Sequence, residues 1–162
     1  GSTLPRVYFK PIEQGFMEAA KSGVIAGYPS VDIKAVLIDG SHHDVDSSEM
    51  AFQVAASMAF KAAMQKGKPS LLEPIMKIEV VTPSEFLGDV LRDLNSRSSQ
   101  VQNMDARGDV QVVNAFIPLA ETFQYATHVR SLTTGRASFS MQLDHYAAVP
   151  KSVTEKISGA GG

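Results

Sequence analysis

Apolar residues recur along this chain with two different periods, and each change of period marks a new element. Val7, Ile12, Phe16, Ala19 and Ala20 fall at helical spacing, with Pro11 early in the run and Gly23 just beyond it. That pattern predicts a helix from about Val7 to Ser22 with a glycine stop. After the turn residues Gly27-Tyr28-Pro29-Ser30, the segment Val31 to Asp39 begins with alternation and ends apolar on both sides, which predicts a largely buried strand. A second helix is expected from about Ser47 to Lys66. Its apolar positions Met50, Val54, Met58 and Ala62 lie in one row beside Ala51, Ala55, Ala59 and Ala63, so the stripe should be buried and pack closely on a sheet. Gly67-Lys68-Pro69-Ser70 ends it, because glycine supplies the cap geometry and proline cannot continue the ladder.

Beyond Leu71 the pattern duplicates. Strand, proline, helix and strand occur twice, offset by roughly 35 to 38 residues. Met76, Ile78 and Val80 alternate before Thr82-Pro83, and Phe86, Leu87, Val90, Leu91 and Leu94 then form a helical face. Val110, Val112, Ala115 and Ile117 precede Pro118, and Leu119, Phe123, Ala126 and Val129 repeat the helical spacing. Ala137, Phe139, Met141 and Leu143 alternate with polar neighbours, the mark of a sheet with one wet face. A βαββαβ order with a hairpin near Met104 to Asp109 predicts a four-stranded antiparallel sheet carrying both helices on one face, the ferredoxin-like plan. The chain is thus expected to be α+β with two domains, residues 1–70 and residues 71–162, the second ending in a short tail.

Composition narrows the function. A chain of 162 residues with 44% hydrophobic and 20% charged residues is globular, with no apolar run near the roughly 20 residues needed to span a bilayer. Zero cysteines exclude disulfides, thiol nucleophiles and zinc–thiolate sites. A net charge of -2 gives no global attraction to nucleic acid, so any such contact must be local. The opening Gly1-Ser2, without an initiator Met, reads as a scar on a piece of a longer protein.

The densest polar chemistry lies in Asp39-Gly40-Ser41-His42-His43-Asp44-Val45-Asp46-Ser47-Ser48-Glu49. His42, His43, Asp44 and Asp46 could supply metal ligands or an acid/base pair, but their spacing matches neither a zinc signature nor an EF-hand. A capping reading covers more of the residues: Asp46 as N-cap, Glu49 at the third helical position as its capping-box partner, and Val45 stapled to Met50. Ser41, His42, His43 and Asp44 then remain at a rigidly held loop tip, a placement that suits recognition. Elsewhere, Gly67-Lys68 lacks the earlier glycine and the following Ser or Thr of a phosphate loop. Asp144-His145 comes with no nucleophile elbow. A base-stacking sheet face is not expected, since Arg107-Gly108 continues as Asp109-Val110-Gln111 without a ring. Arg97, Arg107, Arg130 and Arg136 sit in or near loops and helix ends, where each is either a phosphate contact or an ordinary solvated arginine.

The order of these pieces resembles the C-terminal part of bacterial elongation factor G, over nearly the whole chain. The resemblance rests on Gly23-Val24-Ile25-Ala26-Gly27-Tyr28-Pro29, on Asp39-Gly40-Ser41 through Phe52, and on Leu72-Glu73-Pro74-Ile75-Met76. Tyr125-Ala126-Thr127, Thr134-Gly135-Arg136 and Asp144-His145-Tyr146 with Val149-Pro150 complete it. It implies a partial domain IV related to ribosomal protein S5 domain 2, then a ferredoxin-like domain V, in a cytoplasmic GTPase that moves tRNA and mRNA through the ribosome. By the resemblance, the tip with His43, flanked by Ser41, His42 and Asp44, enters the decoding site and meets the A-site tRNA–mRNA duplex. Arg97, Arg107, Arg130 and Arg136 would face ribosomal RNA and proteins of the GTPase-associated centre. No catalytic residue or metal falls in this stretch; GTP and magnesium would belong to the parent's missing domains. The family pattern departs at His42, where Tyr is usual, at Arg97-Ser98-Ser99, where Arg-Arg-Gly is usual, and at Asn103, where glycine is common. Those departures suggest a paralogue acting in ribosome recycling or ribosomal protection as the alternative. The absent early strands of domain IV would leave Val31 to Ile38 as an unpaired apolar edge, so either self-association through it or disorder of residues 1–70 is expected.

Overall fold

The computed structural model describes residues 4–43, 45 and 47–159. They form two compact units: residues up to Leu71 together with those from Pro150 on, and Leu72–Val149. No helix among the described residues is long and apolar enough to cross a membrane.

The first unit is built on a helix pair, α1 (Phe9–Ser22) and α2 (Glu49–Lys66). Gly23 ends α1 as its sequence implied, at φ +64° with its N–H donating to the Ala19 carbonyl. The pair is closed by a T-shaped Phe16–Phe60 contact at 4.9 Å and a stacked Tyr8–Phe52 contact at 4.2 Å. Between these rings the backbones touch: a Cβ on Gly15 would lie 2.1 Å from the Gln53 carbonyl oxygen. The C-terminal helix α5 (Lys151–Gly159) groups with this unit and stands where only a tail was foreseen.

Two expectations fail here for one reason. Residues 31–39 form no strand, and Val31, Val36 and Ile38 are largely exposed. The row Met50, Val54 and Met58 on α2 also faces outward, because α2 turns Ala56 and Phe60 toward α1 instead. Both predicted burials needed a sheet, and no described residue of this unit belongs to one. An extended segment without a neighbour has no ladder to join. The stop after α2 also differs: Gly67 keeps helical geometry at φ −74°, and Lys68 takes the left-handed turn at φ +53°.

The Leu72–Val149 unit has the predicted order: β1 (Leu72–Pro83), α3 (Leu87–Ser96), β2 (Gln100–Arg107), β3 (Val110–Pro118), α4 (Tyr125–Leu132) and β4 (Ser138–Ala148). The sheet order is β2-β3-β1-β4 with every pair antiparallel. Register places Val80 opposite Val113 and Phe139, and Ile78 opposite Ala115 and Met141, so one face is continuously apolar. On it lie Val90 and Leu94 of α3 and Tyr125 and Val129 of α4, completing the core. The second helix starts later than its spacing suggested. A 3-10 turn at Leu119–Glu121 and a left-handed Gln124 at φ +58° intervene, which leaves Phe123 75% exposed.

Candidate functional site

The loop before α2 is closed by its serines. His43 N–H donates to Ser47 Oγ at 2.8 Å, and Ser47 N–H returns to the His43 carbonyl at 3.0 Å. Ser48 is the N-cap, its Oγ accepting the Ala51 N–H at 3.0 Å. This corrects the cap assigned to Asp46 and Glu49. With Ser47 spent on closing the loop, the helix begins at Glu49, which is then the first helical residue and cannot close a capping box from the third position. Its charge still suits the helix N-terminus. Val45 and Met50 are 94% and 74% exposed and form no staple. Asp44 and Asp46 lie outside the described residues.

At this tip Ser41 and His43 are exposed, whereas His42 is half-buried, with Nδ1 enclosed and lacking a hydrogen-bond partner among the described residues. The entry to the tip is anchored on Leu4, which is 6% exposed and would stand 3.1 Å from a Cβ at Gly40. Among the described residues no group of three or more His, Cys, Asp or Glu is placed to hold a metal.

The four arginines do not form one patch. Arg97, at the C-terminal end of α3, pairs with Asp93 at 3.2 Å with both side chains largely buried. It also donates to the Glu121 and Phe123 carbonyls and lies over the Tyr125 ring, so its guanidinium ties α3 to the turn before α4. His128 reaches the same Asp93 from α4 at 3.1 Å. Burial pushes the Tyr125 phenol well above its ordinary value, the Asp93 charge adds to this, and Arg97 opposes it.

Arg107, Arg130 and Arg136 sit at the other end of the sheet, where β1 and β2 stop and β3 and β4 begin. Ser84 fastens that end by donating from N–H and Oγ to the Asp109 carbonyl at 3.0 Å each. Arg107 makes an exposed pair with Asp105 at 3.3 Å. Arg136 pairs with Glu85 and lies over the Phe86 ring. Arg130 is exposed in the last turn of α4, its carbonyl accepting Gly135 N–H.

The helix-free face of the sheet carries a group that sequence reasoning missed. Phe116 on β3 meets His145 on β4 edge-to-face at 5.2 Å across the intervening β1, where His145 is the register partner of Ile75 and Phe116 that of Lys77. A bulge in β4 at Asp144 puts His145 there, and Asp144 Oδ2 holds its Nδ1 at 2.6 Å. The motif at Arg107-Gly108 gives no hint of either ring. Strand alternation would have found Phe116, but the bulge hides His145.

Comparison with known proteins puts this helix pair and βαββαβ sheet in the class of translation elongation factors. The family model of elongation factor G domain IV matches residues 1–68, and that of the elongation factor G C-terminus matches residues 70–157. The chain belongs to the elongation factor G family. A crystal structure of a Thermus thermophilus protein, ttk003000868, is 43% identical with a TM-score of 0.83. The match covers 99% of this chain and 24% of that one, so the chain spans about a quarter of its length.

Proposed function

We propose that the chain is the ribosome-engaging part of a cytoplasmic GTPase that drives tRNA and mRNA translocation, with residues 1–70 as domain IV and 71–162 as domain V. The tip residues Ser41, His42, His43 and Asp44 enter the decoding site, and His43 makes the principal contact. The supporting observation is an exposed His43 whose backbone is fixed on both sides by Ser47, since a preset loop loses little entropy on docking. Arg107, Arg130 and Arg136 face ribosomal RNA near the GTPase-associated centre, each an unburied cation at one end of the sheet. Arg97, held by Asp93, serves mainly to clamp α3. GTP and magnesium act in other domains of the parent, and this part performs no chemistry.

In the full-length parent, His43→Ala should slow translocation at least severalfold while ribosome-stimulated GTP hydrolysis stays near its original rate. Equal translocation rates would remove the tip role. A recycling or ribosomal-protection paralogue is the second reading, favoured by His42, Arg97-Ser98-Ser99 and Asn103. It predicts that the parent splits post-termination ribosomes, or protects ribosomes from a bound inhibitor, without supporting elongation. The chain alone should self-associate through the uncovered row Met50, Val54 and Met58 and the exposed segment 31–38. A concentration-independent monomer in light scattering would refute that.

A further inference from the structure

We infer that the helix-free face of the Leu72–Val149 sheet holds an unpaired RNA nucleotide, which deepens the ribosomal reading and rests on it. A shallow depression of about 340 Å³ there is lined by Lys77, Gln102, Asn103, Asn114, Ala115 and Phe116. Its lining contains one cation, three side-chain amides, one aromatic ring and no carboxylate. That set matches an anionic ligand with a flat, hydrogen-bonding base. The Phe116 ring offers a stacking surface, and the amides carry both donors and acceptors for a base edge. Lys77, directly opposite Phe116 in register, supplies the phosphate contact.

The site is held by the sheet itself. Asn103 and Asn114 are register partners on β2 and β3, and the irregularity between Val101 and Asn103 brings Gln102 to the same depression. His145 braces the far edge of Phe116, and Asp144 occupies its Nδ1. Of the nearby acids, Asp144 is committed to His145, and Glu79 stands two residues from Lys77 along β1, opposite Asn114 in register but outside the lining. A duplex cannot offer a base face to this surface, so the occupant is a looped-out or single-stranded residue.

Fluorescence anisotropy with labelled single-stranded hexanucleotides, a matched RNA duplex and free nucleoside monophosphates tests the assignment on the chain as described. Single strands should bind, and Phe116→Leu, which keeps an apolar side chain there but removes the ring, should weaken them roughly tenfold. Lys77→Gln should weaken binding and flatten its salt dependence. Equal binding of the duplex, equal binding of a free monophosphate, or an unchanged affinity in both variants would overturn the proposal. Circular dichroism confirms that each variant is folded. Failure of the ribosomal reading is separable: replacing Arg107, Arg130 and Arg136 with Gln would leave ribosome association intact, whatever the hexanucleotide does.

Discussion

In the Leu72–Val149 unit, α3 lays Val90 and Leu94 on the sheet and both are fully buried; in the first unit, α2 carries Met50, Val54 and Met58 at the same four-residue spacing, and each is more than half exposed. Helical spacing therefore identifies a face that could be buried, not the surface that buries it. In the second unit the covering surface arrives within the same stretch of chain, because β1, β3 and both helices follow one another closely. In the first unit α2 packs on α1 through its narrower Ala56–Phe60 face, with Phe52 stacked on Tyr8 just before α1.

The sharpest way to break this comparison is to delete the same kind of atoms from both helices. Leu94→Ala should cost about 2–5 kcal/mol in urea unfolding, because the cavity opens in a core where Leu94 has no exposed surface. Val54→Ala should change stability by less than about 0.5 kcal/mol, as substitutions on open surface do. Comparable losses at the two sites would mean that the α2 face is covered in solution. Gly15→Ala then probes a place where the backbones of α1 and α2 approach closely. Its new Cβ would collide with the Gln53 backbone, which cannot rotate away as a side chain could, so α1 and α2 must separate. A cost of about 1–3 kcal/mol is expected, read as loss of the Phe16–Phe60 ring-contact shifts by NMR, with the Leu72–Val149 resonances unmoved.

Much of the second unit was legible because its signals are local. Alternation in β1 and β4, proline at the ends of β1 and β3, and helical spacing in α3 each act within a few residues, and antiparallel pairing follows from their order. What escaped was backbone geometry: the left-handed Gln124 that delays α4, and the bulge that turns His145 onto the open face. In the first unit the segment 31–39 resembled a buried strand through alternation and apolarity, but strand formation needs a partner that periodicity cannot report. The tip loop was recognised as a polar, preset turn, but its fastening was assigned to carboxylates. Two consecutive serines offered a closer alternative, since Ser47 could close the loop and Ser48 cap the helix. The arginines were visible as residues and invisible as two separate ends, because their separation depends on strand direction.

A small gain rather than a loss is expected in the turn after α3, where the second unit departs from its own regularity. Ser98 adopts φ +58°, a conformation in which its Cβ crowds the backbone, between Arg97 and a Ser99 whose N–H closes the turn onto the Leu94 carbonyl at 3.3 Å. Glycine relieves that crowding but adds freedom to the unfolded chain, so the two effects partly cancel. Ser98→Gly should still raise stability by about 0.5–1 kcal/mol, because the left-handed penalty for a residue with a Cβ exceeds the entropy that glycine adds. A midpoint shift in urea of that sign, with an unchanged slope, is the outcome expected from a local backbone effect. Destabilisation would instead show that the Ser98 side chain makes a contact that offsets its strain, and that this end of the sheet, beside the Arg97–Asp93 clamp, is more tightly specified than its backbone suggests.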